Sequence, residues 1–194
     1  VMDRLPRGVS FDGLPALDVL SLVRRGINAP HASSMGRLFD AVAFLLGCGS
    51  QASYEAEAAV ALEALALEAR DASRNYAFAA DGEGFMTIDP SPLISGIVKD
   101  IASGVPAPEI AASFHRAVAG LVLSVGARLA RRHGVGDIVL SGGCFQNRLL
   151  CEYIMDGAPT IPERLHMHSL VPPNDGGVSL GQLAVGIARL RTEG

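Results

Sequence analysis

The first ten residues are loosely patterned; from residue 14 to His133 apolar residues recur at helical spacing except at 75–89, and short apolar runs that end in glycine loops follow. Residues 14–25 predict a helix with Gly26 as its left-handed terminal residue. Residues 28–31 predict a loop. Ser33 or Ser34 can N-cap a second helix running to about Leu46, where Gly47 and Gly49 stop it. Its apolar positions Met35, Leu38, Phe39, Val42, Leu45 and Leu46 keep the helical period. Residues 54–70, rich in Ala, Leu and Glu, predict a third helix. Tyr76–Phe78 and Phe85–Ile88 flank Asp81 and Gly82 and predict a β-hairpin. Residues 90–104 predict a helix with Ile94, Ile97, Val98 and Ile101 on one face, and Pro108 opens a long helix to about His133, ended by Gly134 and Gly136. Asp137–Leu140 predicts a buried strand, Cys144–Met155 a helix, Leu165–Leu170 a strand and Val178–Arg191 a closing helix. Strand, loop and helix therefore occur twice in succession. The pattern predicts an α/β fold, a sheet flanked by helices, with both strand-following loops opening on the same sheet edge.

Composition narrows the class. A chain of 194 residues fits one large domain or two small ones, and the expectation is a single domain or lobe. With 49% hydrophobic and 19% charged residues a sizeable core can form, which argues against disorder. Trp is absent and aromatics make up only 5%, so that core must be aliphatic. The net charge is −4 and no basic run exceeds Ala130–His133, which predicts no dedicated nucleic-acid surface. No 18-residue uncharged apolar run and no signal-peptide pattern occur, so no membrane association is expected. Cys48, Cys144 and Cys151 form no C-x-x-C pair, and an odd count at irregular spacing fits a reducing cytoplasm.

Two loops carry the candidate chemistry. In Ser141-Gly142-Gly143 the glycines let backbone N–H groups approach a bound group closely, and a following helix start would favour an anion such as phosphate. The same residues also serve as a plain strand-to-helix turn. Asn147 could bond a ribose hydroxyl or a base edge, or stand solvated on the helix; Arg148 reads as a surface residue. In Asn174-Asp175-Gly176-Gly177 the Asp175 carboxylate is a hard oxygen donor suited to Mg, Mn or Fe, or else a helix N-cap. One carboxylate cannot hold a metal alone, so further ligands would have to come from elsewhere.

A third segment, Ser33–Asp40, has Gly36 inside a helical pattern, where glycine costs about 1 kcal/mol relative to Ala and so suggests close approach of another group. Asp40 lies four residues on, on the same face, and would bind ribose hydroxyls or pair with Arg37. His166 and His168 share a strand face, which permits metal binding, but two such histidines are more often half-buried polar residues. His115 reads as a satisfied core histidine. Cys144 would be a stabilised thiolate at a helix start, yet nothing supplies it with a base, and packing is the better reading. No H-E-x-x-H, Walker A or G-x-S-x-G motif is present.

Ser33–Ala41 (SSMGRLFDA), Leu140–Leu150 (LSGGCFQNRLL) and Pro172–Gln182 (PPNDGGVSLGQ) together resemble the C-terminal region of the HypF family, the carbamoyltransferases that mature nickel–iron hydrogenases. Tyr54–Ala59 and Ala112–His115 are similar as well, so the resemblance runs from about Gly26 to Gln182. It implies an actin- and sugar-kinase-like lobe, akin to the enzymes that make threonylcarbamoyl-adenosine, in a fold whose two lobes clasp a nucleotide. By that resemblance Gly142 and Gly143 face the phosphates, Asn147 lies beside the nucleotide, Gly36 and Asp40 line the adenosine and ribose side, and Asp175 is a ligand of a divalent metal, Mg or Fe. The reaction it implies is carbamoyl transfer from carbamoyl-adenylate, made from carbamoyl phosphate and ATP, to the C-terminal cysteine of HypE. The acylphosphatase-like, zinc-finger and adenylate-forming signatures of that family, and its His-x-x-x-His pair, are missing here. The chain therefore reads as the back half of the carbamoyl-transfer module, inactive alone. The same loops occur in antibiotic-type O-carbamoyltransferases, and a non-catalytic docking or oligomerisation domain is the remaining alternative.

Overall fold

The computed structural model describes residues 16–49, 52–82 and 86–192. Leu14 and Pro15 at the predicted start of the first helix, Phe85 in the predicted hairpin and the first ten residues lie outside them. The chain divides into two compact units, Val1–Phe114 and His115–Gly194.

The first unit holds α1 (Ala16–Arg25), α2 (Met35–Leu45), α3 (Glu57–Leu67), the strands β1 (Ala79–Asp81) and β2 (Thr87–Asp89), α4 (Ser91–Ala102) and the opening turns of α5 (Ala107–His133). Gly26 takes φ +66° and ends α1 as the sequence predicts, its N–H reaching the Val23 carbonyl. Ser34 occupies the N-cap position of α2 with extended backbone, but its side chain makes no cap bond. The third helix is shorter than predicted. Ala56 adopts a left-handed conformation at φ +64°, so the backbone turns through residues 53–56 before α3 begins, and the Glu57 carboxylate accepts from the Ser53 N–H and hydroxyl. The hairpin is real and antiparallel, pairing Ala79 with Asp89 and Asp81 with Thr87, but its strands start later than predicted. Tyr76 is not in a strand; its ring is buried against Gly96 of α4, where an added Cβ would lie 3.0 Å from the ring. Phe39 of α2 meets Phe114 of α5 edge-to-face at 4.8 Å, in a core completed by Val42, Leu62, Leu93, Ile97 and Ile110.

The second unit holds the remainder of α5, β3 (Asp137–Leu140), a 3-10 turn (Gly143–Gln146), α6 (Arg148–Gly157), a 3-10 turn (Ala158–Thr160), β4 (Arg164–Met167), a 3-10 turn (Asp175–Gly177) and α7 (Val178–Thr192). β3 and β4 run parallel, with Ile138 opposite Leu165 and Leu140 opposite Met167. This is the α/β arrangement the sequence predicts. The predicted buried strand is corrected: only Leu140 of β3 is buried, and Val139 is 68% exposed. Alternation explains it. Ile138 and Leu140 turn toward α5, where Gly126 leaves room for Ile138, while Asp137 and Val139 turn to the open face. On that face Asp137 receives both Arg164 bonds at 2.9 Å and His166 Nε2 at 2.7 Å, which holds its carboxyl far below the usual range.

α5 is long and apolar enough to cross a membrane by length and composition. Its apolar positions Ile110, Phe114, Val118, Leu123, Ala127 and Ala130 are buried instead within the protein.

Candidate functional site

The loops after β3 and β4 meet at the carboxyl end of the sheet. The Gly142 N–H donates to the Pro173 carbonyl oxygen at 2.8 Å, and His168 Nε2 and Ser141 Oγ lie 3.1 Å apart. Parallel pairing makes this meeting obligatory, since both strands point the same way and end side by side.

Gly142 has φ +113° and ψ 158°, a conformation that L side chains rarely adopt. That conformation lets the chain reverse out of β3 and hand its N–H to Pro173. Gly143 is different: a Cβ built on it would meet no atom within 4 Å. The space over Gly143 is open, and nothing among the described residues requires glycine there.

The predicted Cys144–Met155 helix begins later, at Arg148. The residues before it form the 3-10 turn, and Asn147 sits at the N-cap of α6 in extended conformation. Its Oδ1 accepts from the Leu150 N–H at 2.7 Å, which fixes the amide so that Nδ2 points at His115 Nε2, 3.0 Å away. His115 is fully buried, the satisfied core histidine of the sequence reading, with the ring nitrogen as acceptor. Asn147 is thus a helix cap and a partner of the core as well as a candidate ligand contact, and the dipole end of α6 is already capped. An anion at these loops would rely on close approach over Gly143 more than on that helix end.

In the second loop the cap is Asn174, not Asp175: Asn174 Oδ1 accepts from the Gly176 N–H at 3.1 Å and its carbonyl from the Gly177 N–H at 3.0 Å. Gly177 is required by close packing, because a Cβ there would lie 2.8 Å from the Pro172 carbonyl oxygen. Asp175 is exposed on the turn so formed. Among the described residues no three His, Cys, Asp or Glu side chains gather to hold a metal ion. At these loops the described residues offer the Asp175 carboxylate, which does not complete a metal centre without further ligands. His166 and His168 are engaged separately, with Asp137 and Ser141.

Gly36 and Asp40 belong to the other unit. Arg37 Nη1 donates to Asp40 Oδ2 at 3.2 Å, the i,i+3 pair that the sequence allows. A Cβ on Gly36 would meet only Ser34 Oγ, at 3.5 Å. No crowding among the described residues demands glycine at this position either. Sequence reasoning missed Ser141, Pro173 and Asn174 as the residues that tie and shape the loops; the Asn at the head of Asn-Asp-Gly-Gly was the available signal, since Asn caps as well as Asp does.

A family model described as carbamoyltransferase, Kae1-like domain, second subdomain, matches residues 7–182. The chain belongs to the HypF carbamoyltransferase family. HypF of Rhodobacter capsulatus is 36% identical over 183 residues, which cover 94% of this chain and 23% of that protein. HypF of Synechocystis is 34% identical over 166 residues, 84% of this chain and 20% of that protein. A crystal structure of full-length HypF in the phosphate- and nucleotide-bound form superposes with a TM-score of 0.76 at 34% identity, covering 86% of this chain and 22% of that one. The chain thus spans about a fifth of the length of these HypF relatives. The family is enzymatic, as the resemblance of the three motifs implied.

Proposed function

We propose that this chain is the nucleotide-binding second part of a carbamoyltransferase that moves a carbamoyl group from carbamoyl-adenylate to the C-terminal cysteine of HypE in nickel–iron hydrogenase maturation. The lobe would be of the actin- and sugar-kinase-like kind and would act in the cytoplasm, a reducing compartment suited to its free cysteines. In the reaction the cysteine thiol gives up its proton to solvent, its sulfur bonds the carbamoyl carbon, the bond from that carbon to the adenylate phosphate oxygen breaks, and AMP leaves with the electron pair.

The observation that carries the reading is the bond from Gly142 to Pro173, which joins two glycine loops beside open space over Gly143. Phosphate approach over Gly143 fits that space, and one similar structure is of a phosphate- and nucleotide-bound HypF. Asn147 is proposed as a neighbour of the nucleotide, and Gly36 and Asp40 as contacts of its adenosine and ribose. Asp175 would give one ligand to a divalent metal, Mg or Fe, whose other ligands lie outside this chain; such a metal would supply charge to offset the phosphates.

Gly143→Val separates this role from a structural one. A Cβ at Gly143 would meet no atom of the described residues within 4 Å, so the melting temperature should hold. Nucleotide affinity should fall about tenfold or more, the factor that ~1.4 kcal/mol of lost contact gives. The measurement is calorimetric titration of a non-hydrolysable ATP analogue into a HypF carrying this chain in place of its matching segment. Unchanged affinity in a stably folded variant would remove the loop from the nucleotide site.

A further inference from the structure

Transfer of a carbamoyl group to a thiol releases a proton, and a side chain poised to accept it speeds the step. The chain has five histidines. His31 lies in the first unit, and His133 ends α5 before β3 begins, at the end of the sheet away from the loops. His115 is fully buried and bonded to Asn147. His166 Nε2 is 2.7 Å from an Asp137 carboxylate oxygen. His168 is different. It directly follows β4, is exposed, and has Ser141 Oγ as its hydrogen-bond partner among the described residues, 3.1 Å from Nε2. Register produces the pair: Leu140 stands opposite Met167, so the next residues, Ser141 and His168, leave the two strands side by side. Ser141 then leads into Gly142, whose N–H is fixed on the Pro173 carbonyl, and into Gly143 with its open space. A hydroxyl within hydrogen-bond reach of an imidazole nitrogen is the arrangement that moves protons in nucleophilic catalysis.

We propose that Ser141 and His168 take up the proton of the acceptor thiol during carbamoyl transfer, Ser141 as the relay and His168 as the base behind it. The inference rests on the transfer reaction proposed above. In a carbamoyl-adenylate the carbamoyl carbon is bonded to a phosphate oxygen, so a hydroxyl beside the phosphate is also beside the carbon under attack. Ser141 stands two residues before Gly143, over which the phosphate is proposed to approach. As the sulfur bonds the carbon, its S–H bond breaks and that proton goes to Ser141 Oγ, whose own proton passes to His168 Nε2. The bond from the carbon to the phosphate oxygen breaks, and AMP leaves with the electron pair. The imidazolium then returns its proton to solvent, which the exposure of His168 allows. The Asn147 amide has no such basic nitrogen, and the Asp175 carboxylate is proposed for the metal.

Steady-state transfer to HypE by full-length Rhodobacter capsulatus HypF carrying this chain in place of its matching segment tests the pair. His168→Gln keeps a group that can bond Ser141 and removes the one that takes a proton. Its kcat should fall about a hundredfold, the lower end of what a positioned base contributes. KM for HypE and affinity for a non-hydrolysable ATP analogue should stay within about twofold of wild type. Ser141→Ala should lower kcat as well, and the double variant should be no slower than the slower single, because the two act as one unit. His166→Gln, on the same strand face, should leave kcat unchanged. With selenocysteine in place of the HypE C-terminal cysteine, the His168→Gln defect should shrink to within about threefold, because a selenol already ionised at neutral pH needs no base. Equal defects with both acceptors would overturn the inference. So would a His168→Gln kcat within about twofold of wild type, or a loss confined to KM or nucleotide affinity. Lost nucleotide affinity in Gly143→Val beside an unchanged kcat in His168→Gln strikes the relay and leaves the nucleotide reading standing. Unchanged affinity in Gly143→Val beside the kcat loss strikes the nucleotide reading and leaves the relay. Nitrogen NMR of the 194-residue chain decides the matter even where the hybrid is inactive. In the neutral ring of His168, Nε2 should be the unprotonated nitrogen, accepting from Ser141, and a proton on Nε2 would overturn the relay.

Discussion

Asn147 shows how one side chain can be overcommitted. Its oxygen caps α6 and its amide nitrogen serves buried His115, two bonds made by the two ends of one rigid group. Asn147→Ala should therefore cost about 1 kcal/mol for the lost cap. A further ~1–3 kcal/mol follows from stripping a buried ring nitrogen of its donor. Asn147→Asp keeps the capping oxygen and should recover the cap's share. Denaturant unfolding measures both, and a loss within the ~0.5 kcal/mol scatter of surface substitutions for Asn147→Ala would show that neither bond matters. This double use was not legible in the sequence, which places Asn147 on a helix but cannot show that a histidine 32 residues earlier lies under it. Gly142 and Gly177 were legible as loop glycines, yet their reasons differ: one needs a backbone conformation, the other a gap beside a carbonyl.

At the scale of elements, the helices were read well and the segments between them poorly. Periodicity placed α2, α4, α5 and α7 because each spans two or more turns of a repeating apolar face. The coil before β1 escaped that reading, since it is held by long-range bonds and not by any period. Arg74 Nη2 and Tyr76 hydroxyl donate to the two Asp100 oxygens of α4 at 3.0 and 2.6 Å, and the Arg74 N–H donates to Ser113 Oγ of α5 at 2.9 Å. These bonds draw Tyr76 out of the predicted strand and into the core. The Arg74 guanidinium holds the Asp100 carboxyl below its ordinary range, despite the opposing effect of burial, while burial and then the carboxylate push the Tyr76 phenol up. A depressed carboxyl contributes stability that is present above its unfolded value, about 3.9, and is lost as pH falls through the folded one. Asp100→Asn should therefore lower the melting temperature at pH 7 by a few degrees, and the gap from wild type should stay constant down to about pH 5 and narrow below pH 4. Thermal melts of both proteins from pH 7 to pH 2 check this. A gap that widens in acid would mean that the strap is held by something other than the ionised carboxylate.

For the whole molecule, the question is what a chain that spans about a fifth of its HypF relatives' length can do. The chain brings two glycine loops together and presents Asp175, but among the described residues it gathers no metal-binding group of three ligands. Its family relatives extend far beyond the matched segment, and α7 is exposed along its length. Catalysis by positioning needs reacting groups held close and aligned, and a misplacement of about 1 Å can cost a hundredfold in rate. A loop followed by an unanchored helix does not meet that demand. The isolated chain should accordingly give no thiocarboxamide on the C-terminal cysteine of HypE when supplied with carbamoyl phosphate, ATP and divalent metal. The same chain in place of the matching segment of Rhodobacter capsulatus HypF should restore transfer, read as a 43 Da gain on the HypE C-terminal peptide by mass spectrometry, the mass of ~1 carbamoyl group replacing ~1 thiol proton. Transfer by the isolated chain would show that the two loops and Asp175 suffice, and would place the reacting centre entirely within these 194 residues. Failure of the stably folded full-length hybrid, with wild-type HypF active beside it, would instead mean that this chain has a different acceptor from HypE.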